Sequence, residues 1–123
     1  EQSFCVIYFT AFDLFDLFAR YTFSSSEEAK DAHANIFDCD LLIIDDLGTE
    51  LTNSFVSSQL FLCINERILR KKSTIISTNL PLDRFMETYP ERTFSRISSN
   101  YTIIKLFGND IRIQKKLLGG TKA

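Results

Sequence analysis

Short apolar runs alternate with amphipathic stretches along most of the chain. Each run is rich in β-branched and aromatic residues and carries almost no charge, which is typical of a strand buried on both faces. A strand with one solvated face would instead alternate apolar and polar positions. The pattern therefore predicts four strands, at Phe4–Phe9, Leu41–Asp45, Ser73–Thr78 and Tyr101–Phe107.

The stretch between the first two runs has the periodicity of helices. Apolar residues recur there at helical spacing, at Phe12, Leu14, Phe15 and Phe18. A serine run follows, in which Ser24 with Glu27, or Ser25 with Glu28, has the spacing of a capping box. These features predict two helices before the second strand.

A longer helix is predicted between the second and third strands. Asn53 can cap its start, and the helix extends to about Lys71. Its core face is marked by apolar residues four positions apart, Val56, Leu60, Ile64 and Ile68. Pro81 and Pro90 suit the first turns of two short helices that follow the third strand.

Apolar strands that alternate with helices predict an α/β fold of three layers, in which helices cover both faces of a parallel sheet. Ligands of such sheets gather at the carboxyl ends of the strands. Asp45 and Asp46 end the second strand, and Thr78 and Asn79 end the third. We therefore expect these four side chains at one edge of the sheet.

The composition narrows the cellular setting. The 123 residues carry a formal net charge of -2 and are 45% hydrophobic, which is ordinary for a globular domain in water. No apolar run approaches the roughly 20 residues that span a bilayer. The cysteines lie in apolar runs and lack the spacing of a disulfide framework or a metal site: Cys5, Cys39 and Cys63. These observations predict a cytoplasmic protein without a membrane partner.

The C-terminal stretch has a charge bias of its own. Asp110 is the only acid among its cations Lys105, Arg112, Lys115, Lys116 and Lys122. Such a stretch can bind a nucleic-acid backbone, or it can be a solvated basic terminus.

The acid pair after the second strand has a specific chemical interpretation. A buried strand that delivers two adjacent acids is the Walker B pattern of nucleotide-hydrolysing proteins. Its first acid, here Asp45, holds Mg²⁺ beside the nucleotide phosphates, usually through water. The second, Asp46, can polarise the attacking water, and Asn79 can hold that water or contact the γ-phosphate. The simpler alternative is a strand that ends in an acidic turn.

Four stretches in a fixed order carry a resemblance to one family. They are "DLLIIDDLGTE", "STIISTNLPLDRF", "ERTFSRI" and "GNDIR", and "CVIYFTAFDLF" fits the strand and helix before them. The sequence resembles the AAA+ ATPase domain of DnaC/DnaI-type helicase loaders and their IstB-like relatives. The resemblance implies a P-loop NTPase core that binds ATP and Mg²⁺.

The resemblance also implies roles for single residues. Asp45 corresponds to the Mg²⁺-associated acid, Asp46 to the catalytic acid and Asn79 to the sensor 1 residue. One departure concerns these positions. Many AAA+ proteins have Glu where this chain has Asp46, which fits slow hydrolysis or a switch role, and Glu50 is a second candidate for the acid.

Three arginines have implied roles as well. Arg96 resembles the arginine finger that one subunit offers to the nucleotide of its neighbour, Arg92 supports it, and Arg112 resembles sensor 2. An arginine keeps its charge and binds phosphate oxygens through two donors. The alternative for Arg92 and Arg96 is a pair of weak surface salt bridges, such as with Glu91 or Asp83.

The larger departure is that the chain contains no GxxxxGKS or GxxxxGKT loop. The resemblance places that loop just upstream, so we expect residues 1–123 to be the C-terminal part of one AAA+ domain and to be inactive alone. The family's strand order is 5-1-4-3-2. Without the first strand, we expect the remaining strands to close the gap or to pair with another chain, because unpaired buried backbone groups are costly.

The function implied by the resemblance is ATP-dependent loading of the replicative DNA helicase, by a homo-oligomer that binds ATP between subunits and also binds single-stranded DNA. The nearest alternative is an IstB-like transposition helper ATPase, which differs in its partner. A non-catalytic binding module is a third possibility, against which the presence of Asp45, Asp46, Asn79 and Arg96 argues. A response-regulator receiver would need a phosphoacceptor Asp after the third strand, where this chain has Ser-Thr-Asn.

Overall fold

The computed structural model describes residues 3–24, 26–48 and 53–105. Among the helices in these ranges, none is long and apolar enough to cross a bilayer. The elements follow in the order β1 (Val6–Thr10), α1 (Ala11–Ser24), α2 (Glu27–Asp38), β2 (Leu41–Leu47), α3 (Ser54–Leu69), β3 (Ser73–Thr78), α4 (Leu82–Thr88) and α5 (Glu91–Asn100). The first three predicted strands and the predicted helices are confirmed.

The three strands form one parallel sheet in the order β1-β2-β3. Val6 pairs with Leu41, and Leu41 pairs with Ser73, so the strands start level. The carboxyl ends of β2 and β3 consequently lie side by side. The predicted α/β class with a parallel sheet is confirmed.

The hydrophobic core packs on one face of this sheet. Leu42 and Ile44 of β2 are fully buried. They belong to a cluster to which α1, α2 and α3 contribute Leu14, Phe18, Ile36, Leu60 and Ile64. On the opposite face the outer strands are half exposed, with 49% for Val6, 56% for Tyr8 and 52% for Ile75. Within the described ranges, a second helical layer over that face is not seen.

The serine run caps α2 at Ser26, so the predicted capping box at Ser24 or Ser25 is wrong. The hydroxyl oxygen of Ser26 accepts a hydrogen bond from the Ala29 amide at 3.1 Å. The reason is that α1 continues through Ser24, which leaves the cap to a later serine. Ser25 itself lies outside the described residues.

The start of α3 is as predicted, and its end comes two residues early. Asn53 Oδ1 accepts from the Val56 amide at 2.9 Å. At the other end, Lys71 has a left-handed backbone with φ of 60°. The Lys72 amide donates to Arg67 O at 2.9 Å, and the Lys71 amide donates to Ile68 O at 3.0 Å. This is the Schellman arrangement, with Lys71 in the position that glycine usually takes.

The fourth predicted strand is wrong over the part that the structure describes. Tyr101–Lys105 forms no strand there, and Leu106 and Phe107 lie outside the described residues. Ile103 and Ile104 are 53% and 77% exposed. The physical reason is that the sheet of the described residues has no strand between this segment and β3, so the segment has no neighbouring backbone to pair with. Closure of the sheet by this segment is therefore not observed, and pairing with another chain stays a prediction.

Arg67 is fully buried in the core, although the periodic pattern placed only apolar residues on that face of α3. Its guanidinium donates to the Ile36 carbonyl at 2.7 Å, to the Ser73 carbonyl at 2.6 Å and to Thr74 Oγ1 at 2.9 Å. A buried charge requires such a full set of acceptors. Arg67 thereby joins α2, α3 and β3 beneath the sheet.

Candidate functional site

A β-bulge shapes the carboxyl end of β2. Ile44 pairs with Ile76 and Leu47 pairs with Thr78, so β2 uses three residues where β3 uses two. The extra residue lies in the acid pair, and Asp46 has a left-handed φ of 64°. Asp tolerates this conformation better than most residues with a side chain. The bulge therefore gives the side chains of the two adjacent acids different directions.

Both carboxylate oxygens of Asp45 accept hydrogen bonds from hydroxyl groups on the neighbouring strands. Tyr8 on β1 donates to Oδ2 at 2.5 Å. Ser77 on β3 donates to Oδ1. Asp45 is only partly buried, so its carboxylate remains within reach of solvent.

Asp46 lies against β3 through its backbone and its side chain. Its amide donates to Ser77 Oγ at 3.0 Å. Its Oδ1 lies 3.5 Å from the Nδ2 of Asn79, which is exposed at the end of β3. The structure therefore brings Asp45, Asp46 and Asn79 together at one edge of the sheet, as the strand ends predicted.

Thr78 lies at the same edge, but its hydroxyl is used within the fold. It donates to the Leu47 carbonyl at 2.5 Å and accepts from the Leu80 amide at 3.1 Å. Thr78 therefore holds the end of β2 to the turn after β3.

Gly48 allows the chain to leave β2 close to that turn. Its φ is 107°, a conformation that residues with a Cβ rarely adopt. A Cβ built on Gly48 would lie 2.6 Å from Leu80 Cδ1. Both the backbone angle and the available space thus favour glycine directly after the acid pair.

The arginines proposed from the sequence lie on α5, away from the acid pair. Arg92 stacks over the ring of Phe61 on α3, with 4.3 Å from its guanidinium carbon to the ring centroid. Arg96 is partly buried, and within the described residues its Nε has no hydrogen-bond partner. Neither arginine makes an ion pair with Glu91 or Asp83 in the described ranges, so the surface salt-bridge alternative is not seen there. The structure does not bring these arginines to Asp45 or Asp46 of the same chain.

Two further residues with proposed roles lie outside the described residues. These are Arg112, the candidate for sensor 2, and Glu50, the second candidate for the catalytic acid. The basic C-terminal stretch also lies outside, apart from Lys105.

The electrostatics of the site keep Tyr8 protonated. Its hydrogen bond to Asp45 raises the pKa of Tyr8 above its ordinary value of 10.0, and desolvation and the negative charges of Asp45 and Asp46 add to this. Tyr8 therefore remains a hydrogen-bond donor to Asp45 throughout the physiological pH range.

Sequence reasoning missed Tyr8 and Ser77. For Tyr8, the signal is the alternation of side chains between the two faces of a strand. Tyr8 pairs with Ile43, so the next residue of β2 on that face is Asp45. Ser77 could be placed beside the acids only with the bulge in β2, which the sequence pattern does not reveal.

The donor set of this edge fits Mg²⁺. Carboxylate and hydroxyl oxygens are hard donors, and Mg²⁺ typically takes one or two carboxylates together with water and phosphate oxygens. In the described ranges, no group of three or more His, Cys, Asp or Glu side chains could hold a metal ion by itself.

The fold is similar to solved structures of replication proteins. The DnaC helicase loader matches with a TM-score of 0.65 and 22% identity, over 78% of this chain and 58% of that chain. The replication initiator DnaA bound to AMPPCP and single-stranded DNA matches with a TM-score of 0.69 and 19% identity, over 94% and 36%. Domain III of Thermotoga maritima DnaA matches with a TM-score of 0.69 and 22% identity, over 95% and 48%. These matches show the fold, which is that of an AAA+ domain, and the chain spans 36% to 58% of the length of these structures.

The chain belongs to the family of IstB-like ATP binding proteins, whose model matches residues 1–118. The chain therefore has the AAA+ fold of this ATP-binding family, and the resemblance drawn from the sequence is confirmed. Among curated proteins, none gives a significant match.

Proposed function

We propose that this chain is part of an ATPase that loads the replicative DNA helicase, and that Asp45, Asp46 and Asn79 form its nucleotide site. The observation that carries the proposal is the convergence of these three side chains at the carboxyl edge of β2 and β3. Ligands of parallel sheets bind at this edge. The family match supports ATP as the ligand.

The three residues have separate tasks in this proposal. Asp45 holds Mg²⁺, which supplies positive charge to the phosphate oxygens when it is bound. Asp46 accepts a proton from the attacking water and orients it. Asn79 donates one N–H to Asp46 and keeps its second N–H and its carbonyl oxygen for the same water or a phosphate oxygen.

Arg96 acts on the nucleotide of a neighbouring copy of the protein, with Arg92 in support. Support comes from the position of both residues on α5, whereas the acid pair ends β2. The stacking of Arg92 on Phe61 stiffens the helix surface that carries Arg96. A positive charge supplied from the next subunit makes hydrolysis depend on assembly. Arg112 serves as the sensor 2 residue in the same proposal.

Residues 1–123 form the C-terminal part of one AAA+ domain in this account. The chain spans 58% of the DnaC helicase loader, and its sequence has no GxxxxGKS or GxxxxGKT loop. That loop supplies backbone N–H groups and a lysine for the phosphates. The full-length protein is therefore the one that hydrolyses ATP, and the 123-residue chain alone is inactive.

The partner is a replicative helicase, and single-stranded DNA is the second ligand. The fold similarity to the DnaC helicase loader supports this choice, and one similar DnaA structure contains single-stranded DNA. The family name supports a second candidate, a transposition helper of the IstB type. Both candidates share the ATP site and differ in the protein that they contact.

A loading assay separates these candidates. The full-length protein is incubated with the replicative helicase of the same cell and circular single-stranded DNA, with ATP or with ADP, and the helicase retained on the DNA is measured. ATP-dependent retention supports helicase loading. Absence of retention contradicts loading, and stimulation of an IS21-type transposase by the full-length protein supports the transposition helper.

A further inference from the structure

The hydroxyl group of Ser77 lies between the two acids and contacts both. Its oxygen accepts the Asp46 amide at 3.0 Å, and its proton goes to Asp45 Oδ1. The direction of both bonds is fixed, because an amide can only donate and an ionised carboxylate can only accept. One hydroxyl thus links the backbone of Asp46 to the side chain of Asp45.

This link crosses the bulge in β2. The register between β2 and β3 shifts between Ile44 and Leu47, and regular ladder bonds are interrupted there. The Asp46 backbone has a left-handed φ of 64° at this point, and its amide donates to the Ser77 hydroxyl oxygen. The Ser77 side chain therefore restrains the backbone of Asp46 at the bulge.

Asp45 has a second hydroxyl donor, Tyr8, on its other oxygen. Tyr8 contacts Asp45 from β1, whereas Ser77 contacts it from β3, the strand on the other side of β2. Tyr8 therefore fixes the carboxylate of Asp45 without fixing the backbone of Asp46. The two donors differ in this one respect, which makes Tyr8 a natural control for Ser77.

We propose that Ser77 is a positioning residue of the nucleotide site, which sets the direction of the Asp45 carboxylate and the backbone of Asp46 at once. The inference rests on the proposed function of the two acids. Ser77 acts through Asp45 on the bound cation and through Asp46 on the attacking water. Partners of this kind typically change metal affinity or activity by about 10- to 100-fold when they are removed.

The test compares Ser77→Val with Ser77→Thr in the full-length protein. Both replacements are β-branched and suit a strand, so they differ mainly in the hydroxyl group. Two quantities are measured: the affinity for Mn²⁺ in saturating ADP, by electron paramagnetic resonance, and the hydrogen-exchange rate of the Asp46 amide, by NMR. We expect Ser77→Val to weaken Mn²⁺ binding by about 10-fold or more and to speed the exchange. Ser77→Thr should stay near the wild type in both.

A third variant, Tyr8→Phe, serves as the control. It should weaken Mn²⁺ binding and leave the exchange of the Asp46 amide unchanged, because Tyr8 does not contact that amide. If the wild type binds Mn²⁺ with ADP and Ser77→Val matches it in either quantity, the positioning role is overturned while the proposed function stands. If the wild type binds no Mn²⁺ with ADP, the proposed function fails, and this inference fails with it.

Discussion

The carboxamide nitrogen of Asn79 lies 3.5 Å from a carboxylate oxygen of Asp46, across the ends of two adjacent parallel strands. The two residues are 33 positions apart in sequence, so the contact depends on the sheet and not on local structure. Had these side chains pointed away from each other, the acid pair would be no more than the end of a strand. Their proximity is what the nucleotide-site account requires.

The arginine finger leads to a prediction about mixed assemblies. We expect Arg96→Ala in the full-length protein to lower ATP turnover by about 10³-fold or more and to leave ATP affinity nearly unchanged. Mixing it with Asp46→Asn should restore part of the turnover, because some interfaces then combine an intact Asp46 with an intact Arg96. Turnover is measured as phosphate release across a series of mixing ratios.

A matched control for Arg96 is Arg84→Ala. Arg84 is an exposed arginine on α4 whose side chain forms only a long ion pair with Glu87, at 3.9 Å. This change should leave turnover near the wild-type value. If the mixture of Arg96→Ala and Asp46→Asn is no more active than either variant, the finger does not act between subunits.

Even a methyl side chain at position 48, in place of Gly48, should lower the stability of the protein. Gly48→Ala adds a Cβ at a φ of 107° and 2.6 Å from Leu80 Cδ1, so we expect the free energy of unfolding to fall by about 1–3 kcal/mol. Urea unfolding of the full-length protein measures the change. In a Leu80→Ala background the steric part is relieved, so the same substitution should cost less. Equal losses in both backgrounds would show that Leu80 is not the obstacle.

Two arginines of α3 should differ sharply in their contribution to stability. Arg67→Met removes the guanidinium from the buried Ile36 carbonyl and from the partly buried Ser73 carbonyl, and should cost about 1–3 kcal/mol. Arg70→Met removes ion pairs to Glu66 and Asp38 from a residue that is 39% exposed, and should cost much less because water screens both pairs. Unfolding midpoints of the two variants are compared under identical conditions. Similar losses would contradict the central role of Arg67 in the core.

The thiols of the described residues should react at very different rates. Burial raises the pKa of Cys63 to about 12 and also raises the pKa of Cys39, while Cys5 is exposed. Because the thiolate is the reactive form, we expect a maleimide at pH 7.5 to label Cys5 first in the folded protein. Mass spectrometry of peptides after timed labelling reports each site. Labelling of Cys63 as fast as Cys5 would show that the core opens readily at α3.

The sequence pattern correctly predicted those strands and helices whose formation depends on the chemistry of their own residues. Three apolar runs became strands, and Asn53 caps α3 as its side chain suggests. The run at Tyr101–Lys105 has the same composition but forms no strand. An apolar run shows that a segment can form a strand. Whether it does so depends on a neighbouring strand with which it can pair, and the composition of the run does not reveal that.

Part of the candidate site was also predictable from the sequence. Asp45, Asp46 and Asn79 follow strands, and parallel strands bring their carboxyl ends together. Ser77 was missed, because its contact with the acids depends on a one-residue bulge that no composition signal marks. Arg67 was missed as well, since its burial depends on carbonyl groups supplied by α2 and β3.

The measurement that tests the central claim most directly is ATP turnover and ATP binding by Asp46→Asn in the full-length protein. The change keeps the shape of the side chain and removes the charge that accepts a proton. We expect turnover to fall by about 10²-fold or more, with ATP affinity nearly unchanged, while the exposed helix variant Asp31→Asn keeps the wild-type rate. Wild-type turnover by Asp46→Asn would contradict the account, because Asp46 would then not act as the catalytic acid of the site.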